Sequence, residues 1–171
     1  MRFLPWISLL TLAAGCAAPA ALGPGGEQPS TPLVNGAGAV TGAVELEQRD
    51  EGTNLRILVE GLPPGEHGLH LHAVGRCDGP AFQSASGHWN PAGRQHGHLN
   101  PQGSHAGDLP NLTVSSNGHG ALNFLVTGTG LADADGTSLV VHAKPDDYRT
   151  DPSGNSGERI ACAVLAAPTQ P

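Results

Sequence analysis

Short apolar runs that alternate with polar residues, each closed by a turn signal, constrain this chain more than any other feature. Val40, Gly42, Val44 and Leu46 fall on one face of a two-residue period. Leu55, Ile57 and Val59 repeat it, as do Leu122, Phe124 and Val126. Residues 139–141 and 160–165 are short continuous apolar runs. The turns Asp50-Glu51-Gly52, Pro63-Pro64-Gly65, Ser116-Asn117-Gly118 and Asp133-Ala134-Asp135-Gly136 lie between the runs. Successive side chains on a strand point to opposite faces, so this pattern buries one face of a sheet. No stretch carries the period of an amphipathic helix. Short strands with frequent turns fit an antiparallel sandwich or barrel. A chain of 171 residues provides for one such domain. Its formal charge of −7 argues against a nucleic-acid-binding surface.

Residues 1–15 read as an export signal and not as part of the fold. Arg2 supplies a short positive region, and residues 3–14 are apolar apart from Ser8 and Thr11. That stretch is too short to span a bilayer. Ala13-Ala14-Gly15 then leads into Cys16, which resembles the lipobox of bacterial lipoproteins, where the cysteine is lipidated and becomes the new N-terminus. Ala13 stands where Leu is more typical, with Leu12 just before it. The alternative is a plain cleaved signal that removes Cys16 or leaves it idle. Residues 16–34 are rich in Ala, Pro and Gly with Glu27 as their one charge, so they are expected to form a flexible tether. The folded domain is expected over 35–171. Lipidation of Cys16 leaves Cys77 and Cys162 as an even pair in an oxidising compartment. A bridge between them contributes about 4–5 kcal/mol on the chain-entropy account. The alternative is two buried free thiols.

Nine histidines exceed what packing needs in a domain of this size. His70 and His72 are two apart on an expected strand, so both imidazoles share a face and Leu69 and Leu71 take the other. Two imidazoles on a rigid strand suit copper or zinc. Residues 76–110 are long, poor in apolar residues, and carry His88, His96, His98, His105 and Cys77. A stretch of that length is functional or disordered, and a metal and a disulfide would order it. His88, His96, His105 and Asp108 offer three imidazoles and a carboxylate, the closed tetrahedral set that suits zinc. His142 ends the run Leu139-Val140-Val141.

Six motifs carry a resemblance to a known family. They are His70-Leu71-His72, Gly87-His88-Trp89-Asn90-Pro91, His96-Gly97-His98, Gly103-Ser104-His105-Ala106-Gly107-Asp108-Leu109-Pro110-Asn111, Leu139-Val140-Val141-His142 and Gly154-Asn155-Ser156-Gly157-Glu158-Arg159-Ile160-Ala161-Cys162. Over roughly residues 40–165 the chain resembles the copper–zinc superoxide dismutases, in their bacterial exported branch. The resemblance implies an all-β fold: an eight-stranded antiparallel Greek-key barrel, immunoglobulin-like, with two long loops walling the active site. It implies copper on His70, His72, His88 and His142, and zinc on His88, His96, His105 and Asp108, one of each per chain. His88 would then bridge the two ions. Asp146 would join the free ring N–H groups of His70 and His96, and Cys77 and Cys162 would form the family's disulfide. Arg159 would be the active-site arginine beside copper, with Lys144 and Arg149 as lesser cations.

The implied reaction is dismutation of superoxide to dioxygen and hydrogen peroxide by a redox-cycling copper. Zinc is structural, and His88 would carry a proton. The implied setting is the cell envelope, in the periplasm or on the outer surface, with a lipid anchor on Cys16. Monomer and homodimer both stay open. Ala73, Trp89 and Ala163 depart from residues common in the family, and none is a ligand. His67 is expected to be a hydrogen-bonded packing residue, His98 to touch solvent or a stray metal, and His119 to face solvent; none of the three is expected to be a ligand. A rival class, a metal carrier without catalysis, would be expected to lack a copper ligand, His88 or the arginine.

Overall fold

The structure is a computed structural model and describes residues 30–128 and 130–169. The export signal, Cys16 and most of the expected tether lie outside these residues. Among the described residues nine strands form the fold: β1 (Ser30–Asn35), β2 (Val40–Arg49), β3 (Gly52–Val59), β4 (Gly65–His67), β5 (Leu69–His72), β6 (Leu112–Val114), β7 (Gly120–Thr127), β8 (Thr137–His142) and β9 (Arg159–Ala166). They form one sheet in the order β4-β6-β7-β3-β2-β1-β9-β8-β5. Every pairing is antiparallel. The two ends of that order, β4 and β5, are consecutive in the chain and separated only by Gly68. The sheet therefore curls back on itself as a barrel. Besides β4–β6, the non-consecutive neighbours are β3–β7, β1–β9 and β5–β8, the crossovers of a Greek key.

The core follows the alternation in the sequence. Leu55, Ile57 and Val59 of β3 point inward with Val44 of β2, and Leu69 and Leu71 of β5 meet Leu139 and Val141 of β8. The ninth strand arises because the strand expected to carry His70 and His72 is preceded by a separate short strand, β4, from which Gly68 divides it. The Gly68 N–H donates to the Lys144 carbonyl and its own carbonyl accepts from the His142 N–H.

Two expectations are corrected. The folded domain includes residues 30–34, ahead of the expected start at Asn35, because β1 pairs with both β2 and β9 and buries Leu33 completely. Truncating a buried leucine to alanine costs about 2–5 kcal/mol, so this segment belongs to the core and not to a tether. Val40, expected on the buried face of β2, is 68% exposed. A register shift between Leu33 and Val34 in the facing strand breaks the alternation there.

The barrel leaves two long connections at its open side. Residues 73–111 join β5 to β6, and residues 143–158 join β8 to β9. The Cys77–Cys162 disulfide, with Cα atoms 5.7 Å apart, ties the first connection to β9. Phe82, fully buried against Val140 and Cys162, packs the same connection down.

Candidate metal centre

His70 and His72 project from β5, His142 ends β8, and His88 comes from the long connection after β5. One nitrogen of each ring is buried without a hydrogen-bond partner: Nδ1 of His70 and Nε2 of His72, His88 and His142. These four side chains form a group whose donor atoms lie within 4.8 Å of one another. The other nitrogen of each ring is fixed. Nε2 of His70 meets Asp146 Oδ2 at 2.8 Å and Nδ1 of His72 meets the Ser86 carbonyl at 2.9 Å. Nδ1 of His142 meets the Gly157 carbonyl at 3.2 Å. A ring that donates from one nitrogen presents a lone pair on the other. Four buried lone pairs converging on one point cost free energy unless a cation shares them. Burial, aided by repulsion between the rings, holds His88 down to about 4 and His142 down to about 3. His72 and His70 are also lowered by burial. The set is therefore neutral and ready to ligate at pH 7.

The second set surrounds Oδ1 of Asp108. Nδ1 of His88 and of His96 lie 3.0 Å from it, and Nδ1 of His105 lies 3.1 Å from it. The His88 and His105 nitrogens are 3.3 Å apart. Tetrahedral zinc with bonds near 2.0–2.1 Å needs donors separated by about 3.3 Å, so the spacing fits. Oδ2 of Asp108 is occupied by the Gly97 and His105 N–H groups, which aims Oδ1 at the three rings. A wider grouping of close donors joins His70 to His88, His96 and Asp108. His70 Nε2 is already bound by Asp146, whereas His105 points its nitrogen at the shared oxygen. His105 is therefore the fourth member of this set. His88 belongs to both sets, with Nδ1 on one side of its ring and Nε2 on the other.

Asp146 links the sets from behind. Its carboxylate meets Nε2 of His70 at 2.8 Å and Nε2 of His96 at 3.0 Å. Such an arrangement fixes ring orientation and tautomer. Burial opposes ionisation of Asp108 and Asp146, but hydrogen bonds from the histidines hold both well below the usual carboxylate range. Burial likewise opposes protonation of His96, but its bonds to Asp108 and Asp146 raise it to about 9. Gly154, at φ 64°, closes over this junction; a Cβ there would collide with Asp146.

The sequence reading missed Asn111 as a functional residue. Its side chain donates to the Asp146 carbonyl at 3.0 Å and accepts from the Asp146 N–H at 2.8 Å, gripping that residue's backbone on both sides. Its signal in the sequence was its place as the last residue of the motif that runs from Gly103 through Asp108.

Arg159 opens β9 beside a cleft of about 410 Å³ that His72, His88, His105 and His142 also line. Its guanidinium donates to the Phe82 and Ser86 carbonyls at 2.7 and 2.6 Å. Among the described residues it makes no ion pair with Glu158 or Asp151. Neither Lys144 nor Arg149 lines the cleft; Arg149 reaches the Leu99 carbonyl instead. His67 bonds the Pro63 and His142 carbonyls at 2.8 Å each, as a packing residue should, and His98 and His119 are exposed.

Comparison with known proteins agrees with this geometry. The family model described as "Copper/zinc superoxide dismutase (SODC)" matches residues 40–165. A Cu-Zn superoxide dismutase of Aquifex aeolicus is 44% identical over 142 residues, covering 78% of this chain and 83% of the relative. One from Deinococcus radiodurans is 39% identical over 183 residues, covering 97% of this chain and 98% of the relative. The crystal structure of a double mutant of a SOD-like protein from Bacillus subtilis aligns with a TM-score of 0.77 at 40% identity, covering 81% of this chain and 97% of that one. The chain belongs to the copper/zinc superoxide dismutase family, enzymes that convert superoxide to dioxygen and hydrogen peroxide with a copper and a zinc ion.

Proposed function

We propose that copper is held by His70, His72, His88 and His142, and zinc by His88, His96, His105 and Asp108, in an exported superoxide dismutase that protects the cell envelope. The observation that carries this assignment is the convergence of four partnerless buried imidazole nitrogens on one point. Copper supplies the one-electron redox change that dismutation requires, and zinc supplies a fixed positive charge and structural rigidity.

The chain's own residues do the rest. Arg159 is a permanent cation with a planar fork of donors, so it draws a small oxyanion into the cleft and orients it. Two of its N–H groups are held by loop carbonyls, which fixes the fork beside the histidines. His88 lines that cleft, and its partnerless Nε2 can take up a proton and pass it to the peroxide product. Asp146 keeps the His70 and His96 rings in the orientation that turns their Nδ1 atoms toward the two proposed metal positions.

Two substitutions separate these roles. His142→Ala removes copper and dismutation while zinc content stays at one per chain. Arg159→Glu keeps copper but lowers the second-order rate by about tenfold or more, because it reverses the local field. Wild-type activity in either variant with matched copper overturns the assignment.

The disulfide supports an exported protein, since such bridges persist in oxidising compartments. A lipid on Cys16 would hold the enzyme to a membrane in the envelope, and a homodimer is compatible with this arrangement. Cys16→Ser then releases the protein from membranes with unchanged specific activity. Mass spectrometry that finds no lipid on Cys16 contradicts the anchor.

A further inference from the structure

We propose that zinc reaches its site through a second cleft that Arg159 does not line, with His98 as the transient ligand at its mouth. The proposal rests on the zinc set of His88, His96, His105 and Asp108.

The second cleft has a volume of about 210 Å³. One wall is the loop segment with His98, Ser104, His105 and Asp108, and the other is the end of β7. It reaches the zinc set from the side of Asp108, which the larger cleft does not touch. The two clefts differ in charge. Arg159 is the one charged side chain lining the first, whereas no Lys or Arg lines the second and the Asp108 side chain there is fully buried. A cation lining a cleft concentrates anions and repels cations. The Arg159 cleft therefore favours the superoxide anion, and the second cleft lets a divalent cation approach His105 and Asp108 without passing that charge.

His98 is built to receive that cation. It is exposed, and among the described residues neither of its ring nitrogens makes a hydrogen bond. Its ring leans on Tyr148, with centroids 5.8 Å apart. Its backbone is pinned on both sides: the Gly97 N–H donates to Asp108 Oδ2 at 2.9 Å, and the Leu99 N–H to the Tyr148 carbonyl at 2.9 Å. A free imidazole on a fixed backbone, two residues from His96, can replace one water of hydrated zinc before the buried donors replace the rest. Asp108 and His105, which line the same cleft, take the ion next. Release follows the same route in reverse.

The test measures zinc uptake by the metal-free full-length protein, and zinc release from the copper-loaded holoprotein to excess chelator. His98→Ala slows both by about tenfold, within the range by which local field and ligands raise on-rates. The zinc dissociation constant, copper release and one-zinc stoichiometry stay as in wild type. His98→Asp, which keeps a zinc-binding side chain at the mouth, retains wild-type rates. Equal rates in His98→Ala overturn the proposal. So does a dissociation constant that shifts with the uptake rate, or His98→Asp as slow as His98→Ala. A wild-type protein that holds no zinc overturns the ligand assignment itself.

Discussion

His96 sits between two carboxylates, and that position couples metal binding to protons. In the metal-free protein its imidazole stays protonated up to about pH 9, because Asp108 and Asp146 outweigh the burial that opposes the charge. If His96 ligates zinc as proposed, the ion displaces that proton to gain the Nδ1 lone pair. His88, held near 4, has no proton to lose at neutral pH. Zinc affinity is therefore expected to rise about tenfold per pH unit through the neutral range and to level off above about 9. Calorimetric titration at several pH values checks this, and a flat affinity between pH 7 and 9 contradicts it. At this scale the sequence was informative because ligation needs particular residue types, and imidazoles two apart on a strand already share a face. It could not reveal which nitrogen of each ring is free, because that choice depends on Asp146, Ser86 and Gly157, all distant in the chain from at least one ring they fix.

Elements hold these residues by linking the two long connections. Asn111, at the end of the first, clamps the backbone of Asp146 in the second, and the Tyr148 hydroxyl accepts the Asn111 N–H at 2.7 Å. Asp151 of the second connection accepts the His96 N–H at 2.6 Å. Asn111→Ala strands the Asp146 N–H and carbonyl, which costs about 1–3 kcal/mol in the metal-free protein. It also weakens zinc by about 10–100-fold, since Asp146 orients His96. Thermal unfolding and zinc titration of this variant check both values; wild-type results in both would show that Asn111 does not position the site. The sequence did not show this clamp, because a carboxamide carries no periodicity and its partners lie in the other connection. It also misplaced the start of the domain. Ser30–Asn35 is short, interrupted by Pro32, and becomes a strand only because β2 and β9 lie on either side of it.

At the scale of the whole molecule, the barrel brings together residues that the chain keeps far apart. β5 supplies two histidines, β8 supplies one, and the loop between β5 and β6 supplies the remaining three and Asp108. Closure at Gly68 sets β5 against β8, so His70 and His142 meet with ring centroids 4.8 Å apart. Alternation and turns pointed to this barrel class, while the order of its strands depended on long-range pairing that no local pattern encodes. The net charge of −7 makes local placement decisive, because an anionic substrate must find Arg159 on an acidic protein. The proposed ligand sets have two metals share the His88 imidazole inside this barrel. Metal analysis of the purified protein, paired with its dismutase activity, is the decisive measurement. One copper and one zinc per chain with rapid dismutation are expected; zinc alone after copper loading, with no dismutation, overturns the two-metal assignment.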